Sequence, residues 1–189
     1  MMSLANKYLS NYQFYEKHQI IIEASIQEVQ DTIDSYDSID DSFFRMMILL
    51  REIPMRFLNR LGIYKSVPVA HFNMHNFIKL EHNSNEQIYG LIGKFWKLNY
   101  GQFIIKENSD FLDFKKPHYA KLLLIFNVKK VNEKEVLLTT ETRIHCLDTY
   151  ALKRFRIYWY LIRPISGLIR MKILRSIKNQ ISINNHNKK

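Results

Sequence analysis

Cysteine is nearly absent from this chain. Cys146 is the single one among 189 residues, which excludes an intrachain disulfide framework and a cysteine-built zinc finger. Glycine and proline are scarce, at five and four. That excludes a collagenous or Pro/Gly-rich disordered chain. Five scattered glycines cannot build a phosphate-cradling loop, and no nucleophile-elbow pattern is present. No apolar run approaches the roughly 18 to 20 residues that a membrane-spanning helix needs. Met1 to Glu16 lacks a basic stretch followed by an apolar core and a small-residue cleavage site, so no secretory leader is expected. Acidic residues are missing from the last 41 positions. Residues 149–189 hold ten Lys/Arg and no Asp/Glu, while residues 1–148 hold 18 of each, so the whole net charge of +10 sits at one end.

What is present is ordinary for a globular protein: 47% hydrophobic and 24% charged residues. The expectation is a soluble, cytoplasmic chain with a single domain over residues 1–183 and a disordered basic tail at 184–189. The basic end offers two readings. One is contact with nucleic acid or an anionic lipid surface. The other is a core helix with a Lys/Arg solvent face, favoured because the same segment is strongly apolar. Nucleic acid is therefore not expected as a partner, and a weak contact with anionic membranes is kept as an alternative.

Residues 1–13 read either as a short helix or as a loose lead-in. His18 to Glu23 is a β-branched run that predicts a strand. Ser25 with Glu28 three residues later forms a capping-box pattern, and Ile26, Val29, Ile33 and Tyr36 are spaced for one helical face ending near Asp37. Asp40 or Asp41 can cap a second helix with Phe43, Phe44, Met47, Leu50 and Leu58 on its apolar face. Pro54 falls inside it and Gly62 ends it. From Pro68 the period changes to alternation. Six strands are predicted, at His71–Leu80, Ile88–Trp96, Gly101–Lys106, Phe111–Phe114, Ala120–Val128 and Val136–Cys146. Short polar turns join them into an antiparallel meander. Asp148 or Thr149 caps a long last helix, with a kink or short break at Pro164 and Gly167. Its apolar row is Leu161, Ile165, Ile169, Ile173, Ile177 and Ile181, with Lys172, Arg175 and Lys178 broadly opposite.

The order is therefore strand, two helices, a run of strands and one long helix. A sheet with one apolar face must cover it, and the last helix is the long element left to do so. The fold class is α+β: a curved antiparallel sheet wrapped around a C-terminal helix, the helix-grip arrangement. A bent sheet and a straight helix cannot meet along their whole length, and the gap becomes an apolar cavity of the kind that takes small ligands.

The segment from Thr139 to Asn179 resembles the end of START-like proteins of the SRPBCC superfamily. The residues that carry the likeness are Thr140-Glu141-Thr142-Arg143, Asp148, Phe155, Tyr158-Trp159, Pro164 and Ile169-Arg170. Ile20 to Val29 is similar to the superfamily's opening strand and helix. Phe114, Pro117 and Ala120-Lys121 are similar to the start of its central strand. The resemblance covers roughly residues 15–180. It implies relatives among polyketide cyclases/dehydrases, lipid-transfer domains and plant-allergen-like carriers. That superfamily has no universal catalytic residues, so none is carried over.

The candidate cavity lining is Phe72, Met74, Trp96, Leu124, Phe126, Thr140, Thr142, Tyr158, Leu161 and Ile162. Twelve Phe, eleven Tyr and two Trp make aromatics the largest signal, and most of them must be core. Glu141 and Arg143 share one face of the sixth strand, away from Val136, Leu138, Thr140, Thr142 and Ile144. They read either as a surface ion pair or as polar anchors for a ligand carbonyl. His71 and His75 have a metal-like spacing. On a strand they stand about 13 Å apart, too far to share one ion, and neither metal nor cofactor is expected. Cys146 has no evident base beside it and reads as a packed thiol.

The function expected is binding of a hydrophobic or amphipathic small molecule, such as a lipid, isoprenoid or polyketide-like compound. The alternative is an enzyme of cyclase/dehydrase type using the same cavity. A buried Glu, Asp, His or Arg in the cavity would favour the enzyme, and a uniformly apolar lining the carrier.

Overall fold

The computed structural model describes residues 3–36, 77–97 and 101–186. The predicted second helix with Pro54 and Gly62, the histidines His71 and His75, and the candidates Phe72 and Met74 lie outside the described residues.

Strand β1 (Phe14–Glu23) starts four residues before the predicted run. Its alternation puts Phe14, Glu16 and Ile22 inward, with His18 and Ile20 partly buried between them. Helix α2 (Ile26–Tyr36) follows, as the capping pattern requires. Glu28 N–H donates to Ser25 Oγ at 3.2 Å, and Ser25 N–H donates to Glu28 Oε2 at 2.9 Å. Val29 and Ile33 form its buried face.

Strands β2 (Ile78–His82) and β3 (Glu86–Gly93) form a hairpin. Asn83 Oδ1 accepts from the N–H groups of Asn85 and Glu86, 2.8 Å each, and fixes the turn. Strands β4 (Ala120–Lys130) and β5 (Glu135–Cys146) complete one five-stranded antiparallel sheet of order β1-β5-β4-β3-β2. The meander is as expected, with β1 added beside β5 as an edge strand. Phe14 pairs with Ile144, Glu16 with Thr142 and His18 with Thr140.

Two predicted strands are corrected. Of Gly101–Lys106, only Phe103 pairs, through a single bridge to Ile92. Phe111–Phe114 is not a strand: a helix, α3 (Asn108–Asp113), covers most of it. The segment read as a turn, Glu107 to Asp110, is its capping box. Asp110 Oδ2 accepts from Lys106 N–H at 2.9 Å and Glu107 N–H at 3.1 Å. Burial explains the preference. Phe111 and Phe114 lie three apart and are both buried, whereas a strand would have paired Phe111 with Asp113 on one face. Phe95 and Trp96, predicted to end the second strand, lie in the turn beyond β3.

A short helix, α1 (Leu4–Tyr8), settles the N-terminal alternative. It is pinned to the sheet by Glu86, which accepts from Ser3 Oγ at 2.9 Å and Leu4 N–H at 2.8 Å. Ala5 and Tyr8 pack with Leu80, Ile88, Phe111 and Leu123, so the sheet's outer face has a core of its own. That cluster was not expected from a sheet read as having one apolar face.

The inner face carries helix α4 (Thr149–His186). Asp148 is its cap: Ala151 N–H donates to Asp148 Oδ1 at 2.7 Å. Of the kink or short break expected at Pro164 and Gly167, the break is absent: the helix is continuous there and runs past Ile183 to His186. Its apolar stripe also differs from the predicted row. Ile173, Ile177 and Ile181 are buried, but Leu161 is 49% exposed. Each four-residue step turns about 40° around a helix, so a long i, i+4 row leaves the face it began on. The buried stripe instead begins at Ala151, Phe155 and Trp159 and ends at Leu174, Ile177 and Ile181.

Two clusters hold α4 to the sheet. One joins Phe155 and Trp159 to Phe14, Leu91, Phe95 and Ile144. The other joins Ile173, Leu174, Ile177 and Ile181 to Ile22, Phe126, Val128, Leu138 and the α2 residues Val29 and Ile33. This antiparallel sheet against a long C-terminal helix is the helix-grip fold. Among the described residues no helix is long and apolar enough to cross a membrane.

Candidate functional site

Between the two inner clusters lies a band of polar side chains. Strand β1 contributes Glu16 and His18, β5 contributes Thr140 and Thr142 directly across from them, and α4 contributes Arg170. Glu16 is 8% exposed, yet it carries a carboxyl group. His18 Nε2 lies 2.8 Å from Glu16 Oε1. A carboxylate can only accept, so Nε2 is the nitrogen that bears the proton. Glu16 Oε2 faces Arg170 Nε at 3.8 Å, an ion pair without a hydrogen bond. Burial pushes the Arg170 guanidinium down from 12.5 to about 10, against the opposing pull of Glu16. It therefore stays charged at neutral pH.

Four atoms of this band have no hydrogen-bond partner among the described residues: Glu16 Oε2, Thr140 Oγ1, Thr142 Oγ1 and Arg170 Nε. Buried polar atoms are nearly always paired, because leaving one unpaired costs about 1–3 kcal/mol. A cluster of four is therefore unusual for a purely structural interior.

Gly167 lets the helix approach this band. A Cβ there would stand 3.1 Å from Glu16 Oε1 and 3.4 Å from His18 Cε1. Outward from it, at the edge of the sheet, runs a groove of about 670 Å³. Tyr15, Glu16, Lys17 and His18 line one side, and Arg163, Pro164, Gly167, Leu168 and Met171 the other. Arg170, Thr140 and Thr142 are not part of that lining and lie behind it. Burial, followed by the Glu141 carboxylate, raises the Tyr15 phenol above its usual 10.0. The site thus sets a carboxylate–imidazole pair and two exposed-side cations beside an apolar wall.

The sequence candidates fall elsewhere for the most part. Thr140 and Thr142 are brought beside the polar band. Phe126 and Leu124 pack in the cluster with Ile173 and Leu174. Trp96, Tyr158 and Ile162 pack against the cluster around Phe155. Leu161 points to solvent, and none of these lines the groove. Glu141 and Arg143 lie on the outer face of β5, bonded to each other at 2.5 Å. Arg143 Nη1 also donates to Asn6 Oδ1 at 2.6 Å and Leu9 O at 3.1 Å, so this pair holds the N-terminal segment.

Glu16, His18 and Arg170 were not singled out as site residues. The signal was there in part. Glu16 and His18 alternate with the apolar Phe14, Ile20 and Ile22 on one face, but the predicted strand began only at His18. Cys146 is buried, and burial, then the Asp148 carboxylate, pushes its thiol up to about 12. Among the described residues no three His, Cys, Asp or Glu are grouped to hold a metal ion.

The fold class is thus that of helix-grip proteins. No family model matches the chain. No curated protein matches it. Among solved structures, the chain is similar to norcoclaurine synthase from Thalictrum flavum in complex with dopamine and hydroxybenzaldehyde. That likeness has 10% identity and a TM-score of 0.37, and covers 93% of this chain and 88% of the synthase. At that level no residue and no activity of the synthase is carried over.

Proposed function

We propose that the chain binds an amphipathic small molecule in the groove between β1 and α4. Its apolar part rests on Pro164, Leu168 and Met171, and its polar part faces Glu16 and His18. The observation that carries this reading is the buried carboxylate oxygen of Glu16, which has no hydrogen-bond partner among the described residues, behind an open groove with an apolar wall. Apolar burial there is worth about 25 cal/mol per Å² before ordering costs. A lipid, isoprenoid or polyketide-like compound fits that description. The charged residues weigh toward the enzyme alternative over a uniformly greasy carrier.

The test is native mass spectrometry of the protein purified from its own host, beside Gly167→Leu, whose side chain would crowd Glu16 and His18 at the groove's wall. A co-purifying small molecule held by the wild type and lost in the variant supports the reading. Equal retention in both places the ligand elsewhere.

A second reading rests on the outer side of α4. Ile157, Tyr160, Leu161 and Leu168 are exposed there in a segment with ten cations and no acid. We propose that this face contacts anionic membranes weakly. Flotation with phosphatidylserine vesicles that fades as salt rises supports it; salt-insensitive or absent binding ends it.

A further inference from the structure

We infer that His18, held by Glu16, is a general base that takes a proton from carbon in a groove-bound molecule. The class of substrate is an amphipathic compound with a C–H made acidic by an adjacent carbonyl or an equivalent electron sink. This rests on the groove being the ligand site, as proposed above.

The geometry has three parts. First, Glu16 Oε1 accepts from His18 Nε2–H at 2.8 Å, which fixes the tautomer and leaves the lone pair on Nδ1. Nδ1 has no partner among the described residues, and the ring, 24% exposed, lines the groove. Second, Glu16 is itself buried, so its charge acts on the imidazolium with little screening by water. Third, Arg163 on α4 and Lys17 at the strand's outer edge line the same groove, so its rim is cationic where negative charge would develop on the substrate. The charged groups around His18 are thus Glu16 and Lys17 on its own strand and Arg163 and Arg170 on α4. The step is redox-neutral. The C–H bond breaks, its electron pair moves into the adjacent sink as an oxyanion, and the proton passes to Nδ1. The imidazolium then returns the proton to carbon or to water.

The test uses nitrobenzisoxazole, a flat carbon acid. Base removes its C3 proton, the C–H electrons form the nitrile, and the N–O bond breaks to release a coloured phenolate. The wild-type rate is expected to saturate and to exceed that of His18→Gln by about 100-fold or more. It is also expected to fall several-fold with deuterium at C3. Glu16 is the positioning residue. Nitrogen NMR of His18 is expected to show the Nε2–H tautomer in the wild type and a mixture in Glu16→Leu. A rate no better than that of free imidazole, an unchanged rate in His18→Gln, or protonated Nδ1 in the neutral wild-type ring would each overturn the proposal. Capture of the fluorophore anilinonaphthalene sulfonate separates the two readings. Capture lost in Gly167→Leu with no elimination sinks the base alone. Capture unaffected by that substitution sinks the groove and the base together.

Discussion

At the scale of single residues, Glu16 and Arg170 are the most consequential pair. Each was taken out of water at a cost of several kcal/mol, and at 3.8 Å without a hydrogen bond they offset it only in part. Removing Arg170 leaves the buried Glu16 carboxylate with the His18 imidazole beside it but without its opposing guanidinium. Arg170→Met is expected to lose about 3–5 kcal/mol of stability by urea titration. Adding Glu16→Leu should return most of it, because two apolar side chains then fill the space. A double variant no more stable than the single would show that the pair is not an isolated charge couple. The thiol of Cys146 gives a simpler check. Buried, and raised to about 12, it should resist iodoacetamide at pH 8 in the native protein and react readily in denaturant. Fast native alkylation would contradict its placement.

At the scale of elements, the ends of helices carry testable weight. Asp148 caps α4, and its carboxyl is held below the usual 3.8 mainly by the Ala151 N–H, and also by that of His118. A depressed carboxyl contributes stability that is present above its ordinary pKa and lost as pH falls through the lowered value. Asp148→Ala should therefore cost about 1 kcal/mol at neutral pH and flatten the loss of stability below about pH 4. An unchanged acid limb would deny the cap. The outer core depends on Gly90. A Cβ there would meet Leu80 Cδ1 at 2.7 Å and Phe111 Cδ2 at 2.9 Å. Gly90→Ala is expected to cost about 1–3 kcal/mol by overpacking, read as a lower urea midpoint. Elements whose signals are local were legible in advance. Ser25 and Glu28 announce α2, and the alternation of Ala120 to Val128 announces β4. Helix α3 was missed although Glu107 and Asp110 repeat the same spacing. A glutamate is an uncommon cap, and the short run Phe111 to Phe114 fits either period.

At the scale of the whole molecule, the order of elements was enough to place α4 on the sheet. With β2 and β3, and β4 and β5, joined by short turns and one long helix left at the end, few other coverings remain. The site was much less legible. Glu16 and Arg170 stand far apart in sequence, and their meeting depends on the register of β1 against β5 and on the rotation of α4. A one-residue change in that register would send Glu16 to the outer face. Glu141 and Arg143 show the reverse case: a conspicuous pair in sequence that the fold spends on holding the N-terminal segment. Among the described residues, Leu124 and Phe126 pack in the inner cluster, and the groove at the sheet's edge has charge in its wall.

The central claim is that this groove takes a small molecule. Its most direct test is calorimetry and methyl NMR with dodecanol as the probe, on the wild type and on Gly167→Leu. Saturable binding that shifts Leu168 and Met171 and disappears in the variant is the result expected. Binding that leaves Leu168 and Met171 unmoved, or that survives Gly167→Leu undiminished, would contradict the account.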